Sequence, residues 1–482
     1  MLNGTWHADL CIIGGGSAGL SIAAGAAQLG ASVVLVEQDK MGGDCLNTGC
    51  VPSKALLAAA KQAQTLRTGA KFGISNVEPT INFAAVMAHV NHVISQIAPH
   101  DSQERFESLG VKVIRGHAKF LDHKTVDADG IRVQAKRFVI ATGSRPVIPQ
   151  IMGLSEVPYF TNETIFENHE LPEHLLIIGA GPIGMELSQA FRRLGSKVTV
   201  LDSSNPLKKE DPEVSKILIE ALEAEGVEVL SDAKISFISR KNETFSLELQ
   251  DGRILHGSHL LVAAGRQPSF ENLELEQAHV ATANGSILVD RRLRSKTNKR
   301  VFIAGDASGG PQYTHVAGYH AGVIIKNALF RIPSKTNYEA VPRITYTDPE
   351  LAHVGMSEIQ AEEFLKKNFR ILKVGFSDND RAVAEGRTEG FLKVITNSKG
   401  RIYGASIVGK SAGELILLWA QAIEKKQNIK IFTQAIAAYP TRSEISKSAA
   451  HEFFKPKIYS PKIRWIVRIL LGKHKFRLGC TL

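Results

Sequence analysis

The feature that most constrains the fold of this chain is a pattern of strand, glycine loop, helix, strand and acid that occurs twice. The second strand ends in Glu37 in the first copy and in Asp202 in the second, at the same distance from the first glycine. Such glycines allow a tight turn and close backbone approach, the helix N-terminus faces a pyrophosphate, and the acid meets a ribose. The sequence therefore predicts an α/β protein with two dinucleotide sites. The glycines are Gly14, Gly16, Gly19, Gly179, Gly181 and Gly184.

Between the two copies, residues 42–54 carry a pair of cysteines, Cys45 and Cys50, at the predicted start of a helix. One and a third helical turns bring the two side chains onto neighbouring faces, so they can form a disulfide. A strained, accessible disulfide is easily reduced and catalytic. Two other interpretations stay open, a metal site and two unrelated buried thiols. A zinc site needs about four ligands, and no His or Cys partner lies close by in sequence.

The composition is typical of soluble proteins with more than one domain. The chain has 482 residues, 44% of them apolar and 22% charged, which is enough for two to four domains. Four cysteines are too few for a secreted disulfide scaffold. We expect no signal peptide and no membrane span, because no basic segment with a long apolar stretch precedes the first strand and no run of about 18 apolar residues occurs. A cytoplasmic location is therefore predicted.

The net charge of +10 is concentrated near the C-terminal end. Residues 455–482 contain eight Lys and Arg and no acid, so the rest of the chain is close to neutral. No nucleic-acid-binding pattern accompanies these charges, and we expect no nucleic-acid partner. Residues 463–471 are predicted to form a helix that is apolar nearly all round, with Arg464 and Arg468 stacked at i, i+4. This helix suits the interface of an anionic membrane or a docking position on the protein's own surface.

These motifs together resemble the flavin-dependent pyridine nucleotide–disulfide oxidoreductases, which include dihydrolipoamide dehydrogenase, glutathione reductase and mercuric reductase. The resemblance is most specific in residues 45–54, which read Cys-Leu-Asn-Thr-Gly-Cys-Val-Pro-Ser-Lys. It implies that Cys45 is the interchange thiol, which meets the substrate, and that Cys50 is the charge-transfer thiol, which contacts the flavin. Asp44 stands where the family more often has Thr. A carboxylate there is expected to raise the pKa of Cys45.

The resemblance also implies the cofactors. Beside the redox pair the first dinucleotide should be FAD, and the second should be NADH or NADPH, because a flavin and a disulfide need a hydride source. Asp202 favours NADH, since a carboxylate accepts from the ribose 2′-hydroxyl and repels a 2′-phosphate. The predicted FAD-binding residues are Gly14, Gly16, Gly19, Glu37, Gly43, Thr142, Gly143 and Asp306. The predicted NAD(P)-binding residues are Gly179, Gly181, Gly184, Asp202 and Gly265.

In this family a lysine of the cysteine segment pairs with a glutamate just past the second glycine loop, and these positions are Lys54 and Glu186 here. The ion pair would place positive charge near the reacting flavin nitrogen, where reduced flavin accumulates negative charge. The alternative for Glu186 is a solvated helix carboxylate.

The family also shares its active site across a homodimer, in which the partner subunit supplies a C-terminal His and Glu. Their motif, His-Pro-Thr-x-x-Glu, reads Tyr-Pro-Thr-Arg-Ser-Glu at residues 439–444. Glu444 is kept, but Tyr439 replaces the imidazole with a phenol. Tyrosine, with an ordinary pKa of about 10, exchanges protons near neutral pH poorly. An efficient lipoamide or glutathione enzyme is therefore disfavoured. Mercuric reductase looks similar in having Tyr here, since a thiophilic metal ion needs thiolate ligands rather than a proton shuttle.

Cys480 is the last candidate residue. It is expected either to hand a metal ion or electrons to Cys45 of the partner subunit or to be a free thiol on the tail. A substrate metal ion would then meet Cys45, Cys50 and Cys480 transiently, and we expect no structural metal. The predicted catalytic residues are Cys45, Cys50, Lys54, Glu186, Tyr439 and Glu444.

The sequence thus predicts a homodimer with two Rossmann-like domains and a C-terminal α+β dimerisation domain. The boundaries are 1–150 for the first part of the FAD domain, 151–270 for the NAD(P) domain, 271–340 for the second FAD part, 341–455 for the dimerisation domain and 456–482 for a basic tail. The predicted enzyme passes electrons from NAD(P)H through FAD and the cysteine pair to an external acceptor. It is most like mercuric reductase, with Hg(II), another soft metal or a small oxidant as acceptor.

Three alternatives remain open at this point. One is a dihydrolipoamide dehydrogenase or another disulfide reductase. The second is a membrane-peripheral NAD(P)H dehydrogenase, held to an anionic membrane through residues 456–482. The third is a flavin-binding scaffold without enzymatic activity.

Overall fold

The computed structural model describes residues 4–472, which divide into two compact units. One unit is the chain up to Lys208 together with Ile219–Tyr338, and the other is Lys209–Leu218 together with the chain from Glu339 onward.

The first unit is built on a seven-stranded sheet with a parallel, apolar centre. Thr5–Ile13 pairs in parallel with Val33–Glu37 on one side and with Ile131–Ile140 on the other. Every residue of Val33–Glu37 is buried, as expected for a parallel strand covered on both faces. The other strands of this sheet are Val111–Arg115 and Val301–Ile303, which are parallel to their neighbours, and the antiparallel Ala118–Asp122 and Thr125–Ala128.

A four-stranded parallel sheet repeats this arrangement later in the chain. Its spatial order is Val227–Leu230, Lys197–Leu201, His174–Ile178 and His259–Val262. In both sheets the strand that precedes the glycine loop lies inside the sheet, next to the strand that ends in the acid. Because the carboxyl ends of parallel strands meet at one edge, each glycine loop and its acid come together there.

The remaining elements of the first unit are short strands and the helices that cover the sheets. The strands are Ser144–Pro146 paired with Arg266–Pro268, Thr282–Ala283 paired with Ser286–Ile287, and the sheet Ile235–Lys241, Thr244–Leu249 and Ile254–Gly257. The α-helices are Ser17–Gln28, Gly43–Asn47, Cys50–Arg67, Phe83–Ile97, Gln103–Ser108, Pro182–Leu194 and Thr314–Ala328. The helix Pro212–Ala224 begins among the residues of the second unit and ends among those of the first.

The second unit is an antiparallel sheet with helices. The strands are, in spatial order, Arg343–Thr345, Glu350–Gly355, Ile402–Gly409, Phe391–Asn397 and Phe369–Gly375. The helices are Glu358–Leu365, Asp380–Ala384, Ala412–Glu424, Lys430–Gln434, Glu444–Ile458 and Pro461–Leu470. The core of the unit centres on Trp419, which is fully buried and lies 4.3 Å from Phe432 between ring centroids.

Two parallel sheets and a separate antiparallel one agree with the predicted α/β class with an α+β C-terminal unit. The predicted division of the first unit into FAD and NAD(P) parts stays a prediction. Residues 83–109 do not form one continuous α-helix. Phe83–Ile97 is followed by a 3₁₀ turn over Ala98–Asp101 and then by the helix Gln103–Ser108. Pro99 lies in that turn, and proline removes the N–H that an α-helix needs.

Candidate active site

The first glycine loop is built for close backbone approach. Gly14 has φ +110°, and a Cβ there would lie 2.4 Å from the Ala141 carbonyl oxygen. A Cβ on Gly19 would lie 1.8 Å from the Gly14 carbonyl oxygen. The buried Glu37 accepts hydrogen bonds from the N–H groups of Gly15 and of Asp39, the latter at 2.7 Å. The loop and its acid therefore form one rigid turn at the N-terminus of helix Ser17–Gln28, where a pyrophosphate fits.

The second loop has the same geometry. Gly179 has φ +111°, a Cβ there would lie 2.4 Å from the Ala263 carbonyl oxygen, and one on Gly184 would lie 2.0 Å from the Gly179 oxygen. Asp202 accepts from the Ala180 N–H at 2.9 Å. Gly181 is the residue before the helix Pro182–Leu194, as Gly16 is before the first helix. Both loops therefore have the tight turn and the acid that bind a dinucleotide.

The cysteine segment packs against the first glycine loop. Gly43 has φ +60°, and a Cβ there would lie 2.7 Å from the Gly16 Cα. The Gly42 N–H donates to the Gly15 carbonyl oxygen at 2.9 Å. Since a side chain at Gly43 would clash with the loop, this glycine sets the distance between the predicted FAD site and the two cysteines.

A residue predicted to bind FAD and a residue predicted to bind NAD(P) stand directly before two strands that pair with each other. Gly143 was assigned to FAD and Gly265 to NAD(P), but the strands that directly follow them, Ser144–Pro146 and Arg266–Pro268, pair with each other. Thr142 belongs to the same junction, and its hydroxyl donates to the Ser269 carbonyl oxygen.

Asp306 lies on the short helix Gly305–Ser308 and is hydrogen-bonded by residues of the same two strands. The Ser144 hydroxyl donates to its Oδ2 at 2.6 Å, and Arg266 Nε donates to the Ser144 Oγ at 2.8 Å. Burial raises the pKa of the Asp306 carboxyl. Sequence analysis assigned the neighbouring Thr142, Gly143 and Gly265 to the cofactor sites and missed Ser144 and Arg266.

Cys45 and Cys50 are present as free thiols that contact each other. Cys45 lies on the helix Gly43–Asn47, and Cys50 is the first residue of the helix Cys50–Arg67. Their mutual hydrogen bond lowers the pKa of Cys50 to about 6, and the same bond together with burial raises the pKa of Cys45. Of the two thiols, Cys50 is therefore the one that ionises first. The predicted disulfide would be the oxidised form of this pair.

Thr314 is a second contact of the pair that sequence reasoning missed. Its Oγ1 lies 3.4 Å from the Cys50 Sγ, and its hydrogen bonds lower the pKa values of both cysteines. Ser17, the first residue of the first helix, also hydrogen-bonds Cys45 and lowers its pKa. Thr314 starts the helix Thr314–Ala328, and no motif marks it, because it is 264 positions from Cys50.

The main causes of the raised pKa of Cys45 are its hydrogen bond with Cys50 and burial, so the predicted influence of Asp44 on Cys45 stays a prediction. The negative charge of Asp44 raises the pKa of Cys50, against the larger lowering by Cys45. The carboxylate turns toward Thr48 Oγ1 at 2.7 Å, Asn162 Nδ2 at 3.1 Å and Arg266 Nη2 at 3.3 Å. The charge of Asp44 therefore acts on a cysteine that is not its neighbour in sequence.

The predicted Lys54–Glu186 ion pair is present, with 2.7 Å between Lys54 Nζ and Glu186 Oε2. Lys54 lies one turn into the helix that Cys50 starts, and Glu186 lies in the first turns of Pro182–Leu194. Glu186 is 5% exposed, so the alternative of a solvated helix carboxylate is wrong. The pair connects the cysteine helix with the second dinucleotide loop.

Tyr439 and Glu444 belong to the second unit. The Tyr439 side chain is exposed, and its hydroxyl donates to Asp380 Oδ2 at 2.9 Å, which raises the pKa of the phenol. Glu444 starts the helix Glu444–Ile458, and its Oε2 accepts from the Thr441 N–H at 3.3 Å. Their place opposite the cysteines of a partner subunit stays a prediction. Cys480 lies outside the described residues.

Comparison with known proteins identifies the family. Residues 8–321 match the family described as pyridine nucleotide-disulphide oxidoreductase, and residues 341–450 match its dimerisation domain. A mercuric reductase of Lysinibacillus sphaericus is 33% identical over 455 residues, which are 93% of this chain and 83% of that protein. A mercuric reductase of Streptomyces lividans is 34% identical over 457 residues, 92% of this chain and 96% of that protein.

A solved structure gives the same result. The Cu(II) complex of the HOCl-induced flavoprotein disulfide reductase from Escherichia coli matches with a TM-score of 0.83 and 26% identity, over 92% of this chain and 99% of that chain. The chain therefore belongs to the pyridine nucleotide–disulphide oxidoreductase family. It is a flavin disulfide oxidoreductase that uses FAD and NAD(P)H and is most like mercuric reductase. Its dimerisation domain supports a homodimer.

Proposed function

We propose that this enzyme reduces a soft metal ion, with Hg(II) as the leading candidate, at Cys45 and Cys50. The observation that carries this proposal is the contact between the two thiols, which lowers the pKa of Cys50. Thiolate sulfur is the ligand that soft metal ions prefer. The similarity to mercuric reductases over more than nine-tenths of the chain supports the same substrate, and the Cu(II) complex of the related structure supports a metal-ion acceptor.

The residues of the first unit would hold the cofactors and prepare the sulfur pair. The first glycine loop with Glu37 fits FAD, and the second loop with Asp202 fits NAD(P)H. When bound, FAD supplies two-electron transfer between NAD(P)H and the sulfur pair. Lys54, oriented by the buried Glu186, would keep a positive charge beside the isoalloxazine.

The cysteines would then act as metal ligands. Cys50 has a lowered pKa and ionises first, whereas Cys45 has a raised pKa and must release its proton when it binds the ion. Reduction of Hg(II) to Hg(0) consumes the two electrons of one hydride, and the oxidised product is NAD(P)⁺. Cys480 of the partner subunit would deliver the ion to Cys45.

Tyr439 favours a metal ion over a disulfide as acceptor. A dithiol–disulfide exchange needs a group that takes and returns protons near pH 7. The hydrogen bond to Asp380 raises the pKa of the Tyr439 phenol further above its ordinary value of about 10. In the proposed homodimer, Tyr439 and Glu444 of the partner subunit would face the cysteines without serving as a proton shuttle.

Asp202 supports NADH as the reductant. Its carboxylate accepts from the Ala180 N–H and from the Ser204 hydroxyl, at 2.9 and 2.8 Å, so it is fixed at the end of its strand. A fixed carboxylate there can accept from a ribose 2′-hydroxyl and repels a 2′-phosphate.

The test is anaerobic NADH oxidation by the holoenzyme with Hg(II) and excess thiol, in parallel with lipoamide and glutathione disulfide. Rapid metal-dependent turnover with little disulfide turnover is the expected result, and Cys45→Ser should abolish it. Efficient lipoamide turnover by the unmodified enzyme would overturn the proposal and make this a dihydrolipoamide dehydrogenase.

The second candidate function is a membrane-peripheral NAD(P)H dehydrogenase that delivers electrons to a quinone. The exposed basic and apolar side chains of the helix Pro461–Leu470 favour it. In this case NADH oxidation with a soluble quinone should exceed that with Hg(II), and removing residues 456–482 should lower turnover with quinone embedded in vesicles.

A further inference from the structure

A cavity of about 500 Å³ opens in the first unit, away from the first glycine loop. Two of its lining residues, Asp9 and Arg137, lie on neighbouring parallel strands, four to five residues before Gly14 and Ala141 at the carboxyl ends. Because a strand rises about 3.3 Å per residue, the cavity lies on the order of 15 Å from the glycine loop. It is therefore separate from the predicted FAD site.

Three arginines that line this cavity have no acid to pair with in the described part of the chain. They are Arg137, Arg300 and Arg331. Asp9 is the one acid among the lining residues, and its carboxylate is already paired with Lys136 at 2.7 Å. Burial and the charges of the other two arginines lower the pKa of Arg137. A bound anion would relieve this repulsion.

A purely structural role for these arginines would be to complement helix ends. The cavity lies where the helices Ser17–Gln28 and Thr314–Ala328 end, and a cation stabilises a helix C-terminus. Lys326 already lies in the last turn of the second helix. Arg331 follows it in a left-handed conformation, with φ +55°, where glycine is the usual residue. Helix termination therefore does not explain an arginine at this position.

The rest of the cavity wall is mostly apolar. The side chains of Leu29 and Phe330 line it and are each 53% exposed. An exposed aromatic ring can stack on a nucleotide base, and arginine binds phosphate through two parallel hydrogen bonds. The volume lies within the range of small-molecule sites, about 300–1,000 Å³. Inorganic phosphate would leave the apolar wall uncovered, so a nucleotide fits both parts better.

We propose that this cavity binds a nucleoside polyphosphate, with the phosphates on Arg137, Arg300 and Arg331 and the base against Phe330. It is a third nucleotide site, in addition to the two glycine loops. The inference does not depend on which acceptor the enzyme reduces.

The test is isothermal titration of the holoenzyme with ATP in saturating NAD⁺. FAD then fills the first glycine loop and NAD⁺ the second, so ATP can bind neither. One ATP should bind per subunit, tripolyphosphate should bind more weakly, and adenosine should not bind. Absence of ATP binding would overturn the proposal. Equal affinity for tripolyphosphate would overturn the assignment to a nucleotide, because the base would then contribute nothing.

The charged part of the site is tested by Arg137→Gln/Arg300→Gln/Arg331→Gln. This variant should lose ATP binding, since each hydrogen bond to a charged group contributes about tenfold in affinity. The matched control, Lys119→Gln/Lys234→Gln/Lys241→Gln, removes three charges from exposed positions of the first unit outside the cavity and should bind normally. Equal losses in both variants would show a general charge effect and contradict the site.

The apolar part is tested by Phe330→Ala. Its affinity for ATP should fall on the order of 10-fold, whereas its affinity for tripolyphosphate should stay the same. The absorbance of the bound flavin and NADH turnover should equal those of the unmodified enzyme in every variant, which shows that the variants are folded. An unchanged affinity of Phe330→Ala for ATP would contradict stacking of the base on this ring.

Discussion

The Nζ of Lys54 lies 2.7 Å from Oε2 of Glu186, although 132 positions separate the two residues. Glu186 is buried on the helix of the second glycine loop, and Lys54 is on the helix that begins with Cys50. The pair therefore fixes a positive charge where the helix that begins with Cys50 meets the helix that follows the second glycine loop.

Replacing this charge should slow electron transfer. Lys54→Met is expected to lower kcat for NADH-driven reduction by about 10²-fold, because one preorganised electrostatic group is removed. Lys54→Arg keeps the charge and should retain most activity. Stopped-flow absorbance of the bound flavin measures the step, and equal losses in both variants would argue against an electrostatic role.

The ionisation of Cys50 should be visible in its reactivity. Its pKa is lowered to about 6, so alkylation by iodoacetamide should be half-maximal near that pH, faster above it and slower below it. Thr314→Val removes a hydrogen bond that lowers this pKa, so the midpoint should move to higher pH. Mass spectrometry identifies the modified thiol, and an unchanged midpoint in the variant would exclude Thr314 as a contributor.

Removal of the Asp44 charge should lower the pKa of Cys50, whereas removal of the Thr314 hydroxyl should raise it. The carboxylate raises the pKa of Cys50, so Asp44→Asn should move the alkylation midpoint to lower pH. The control is Asp39→Asn, which removes an exposed carboxylate five positions before Asp44. This variant should change the alkylation midpoint less. A shift to higher pH would instead show that the ion pair with Arg266 matters more than the charge itself.

An imidazole at position 439 should increase turnover with a disulfide acceptor. Tyr439→His is expected to raise lipoamide turnover about 10-fold or more, since a positioned acid–base group contributes ~10²–10⁴-fold. Turnover with Hg(II) should stay nearly the same. Tyr439→Phe controls for loss of the hydrogen bond to Asp380. If Tyr439→His gains no lipoamide turnover, residue 439 does not determine which acceptor the enzyme reduces.

Glu385 should control the acid stability of the segment that carries Tyr439. Its carboxylate accepts from Arg381, Lys410 and Arg442 at 2.6, 2.9 and 2.9 Å, which lowers its pKa to about 2. A lowered carboxyl pKa stabilises the fold above the unfolded value of about 4.3, and the stabilisation is lost as pH falls toward 2.

Glu385→Gln should therefore lower the free energy of unfolding at pH 7 by about 1–3 kcal/mol and flatten its dependence between pH 5 and pH 2. Denaturant unfolding measures this, followed by fluorescence in a Trp6→Phe/Trp465→Phe background that leaves Trp419, in the core of the second unit, as the reporter. Glu362→Gln, at an exposed position, should behave like the unmodified protein. If the free energy of unfolding depends on pH in the same way in Glu385→Gln and Glu362→Gln, the lowered pKa of Glu385 is not the source of the acid sensitivity.

Much of the site could be predicted from the sequence because its motifs are local. The glycine loops, Glu37 and Asp202 follow from spacing alone, since a strand, a tight turn and a helix N-terminus are made by consecutive residues. The Cys45–Lys54 segment and the Lys54–Glu186 pair followed from resemblance to a family, and the observed distance agrees with the pair.

The remaining contacts depend on how distant segments meet, which no spacing records. Thr314 contacts Cys50 although 264 positions separate them. Arg266, which pairs with Asp44, lies on one of the two paired strands that follow Gly143 and Gly265. For Asp44, adjacency in sequence suggested an effect on the pKa of Cys45, and the structure adds an effect on the pKa of Cys50. The sequence by itself thus determined the fold class, the nucleotide loops and the cysteine pair. Only the tertiary structure decided which thiol ionises, because a pKa depends on charges and hydrogen bonds in space rather than along the chain.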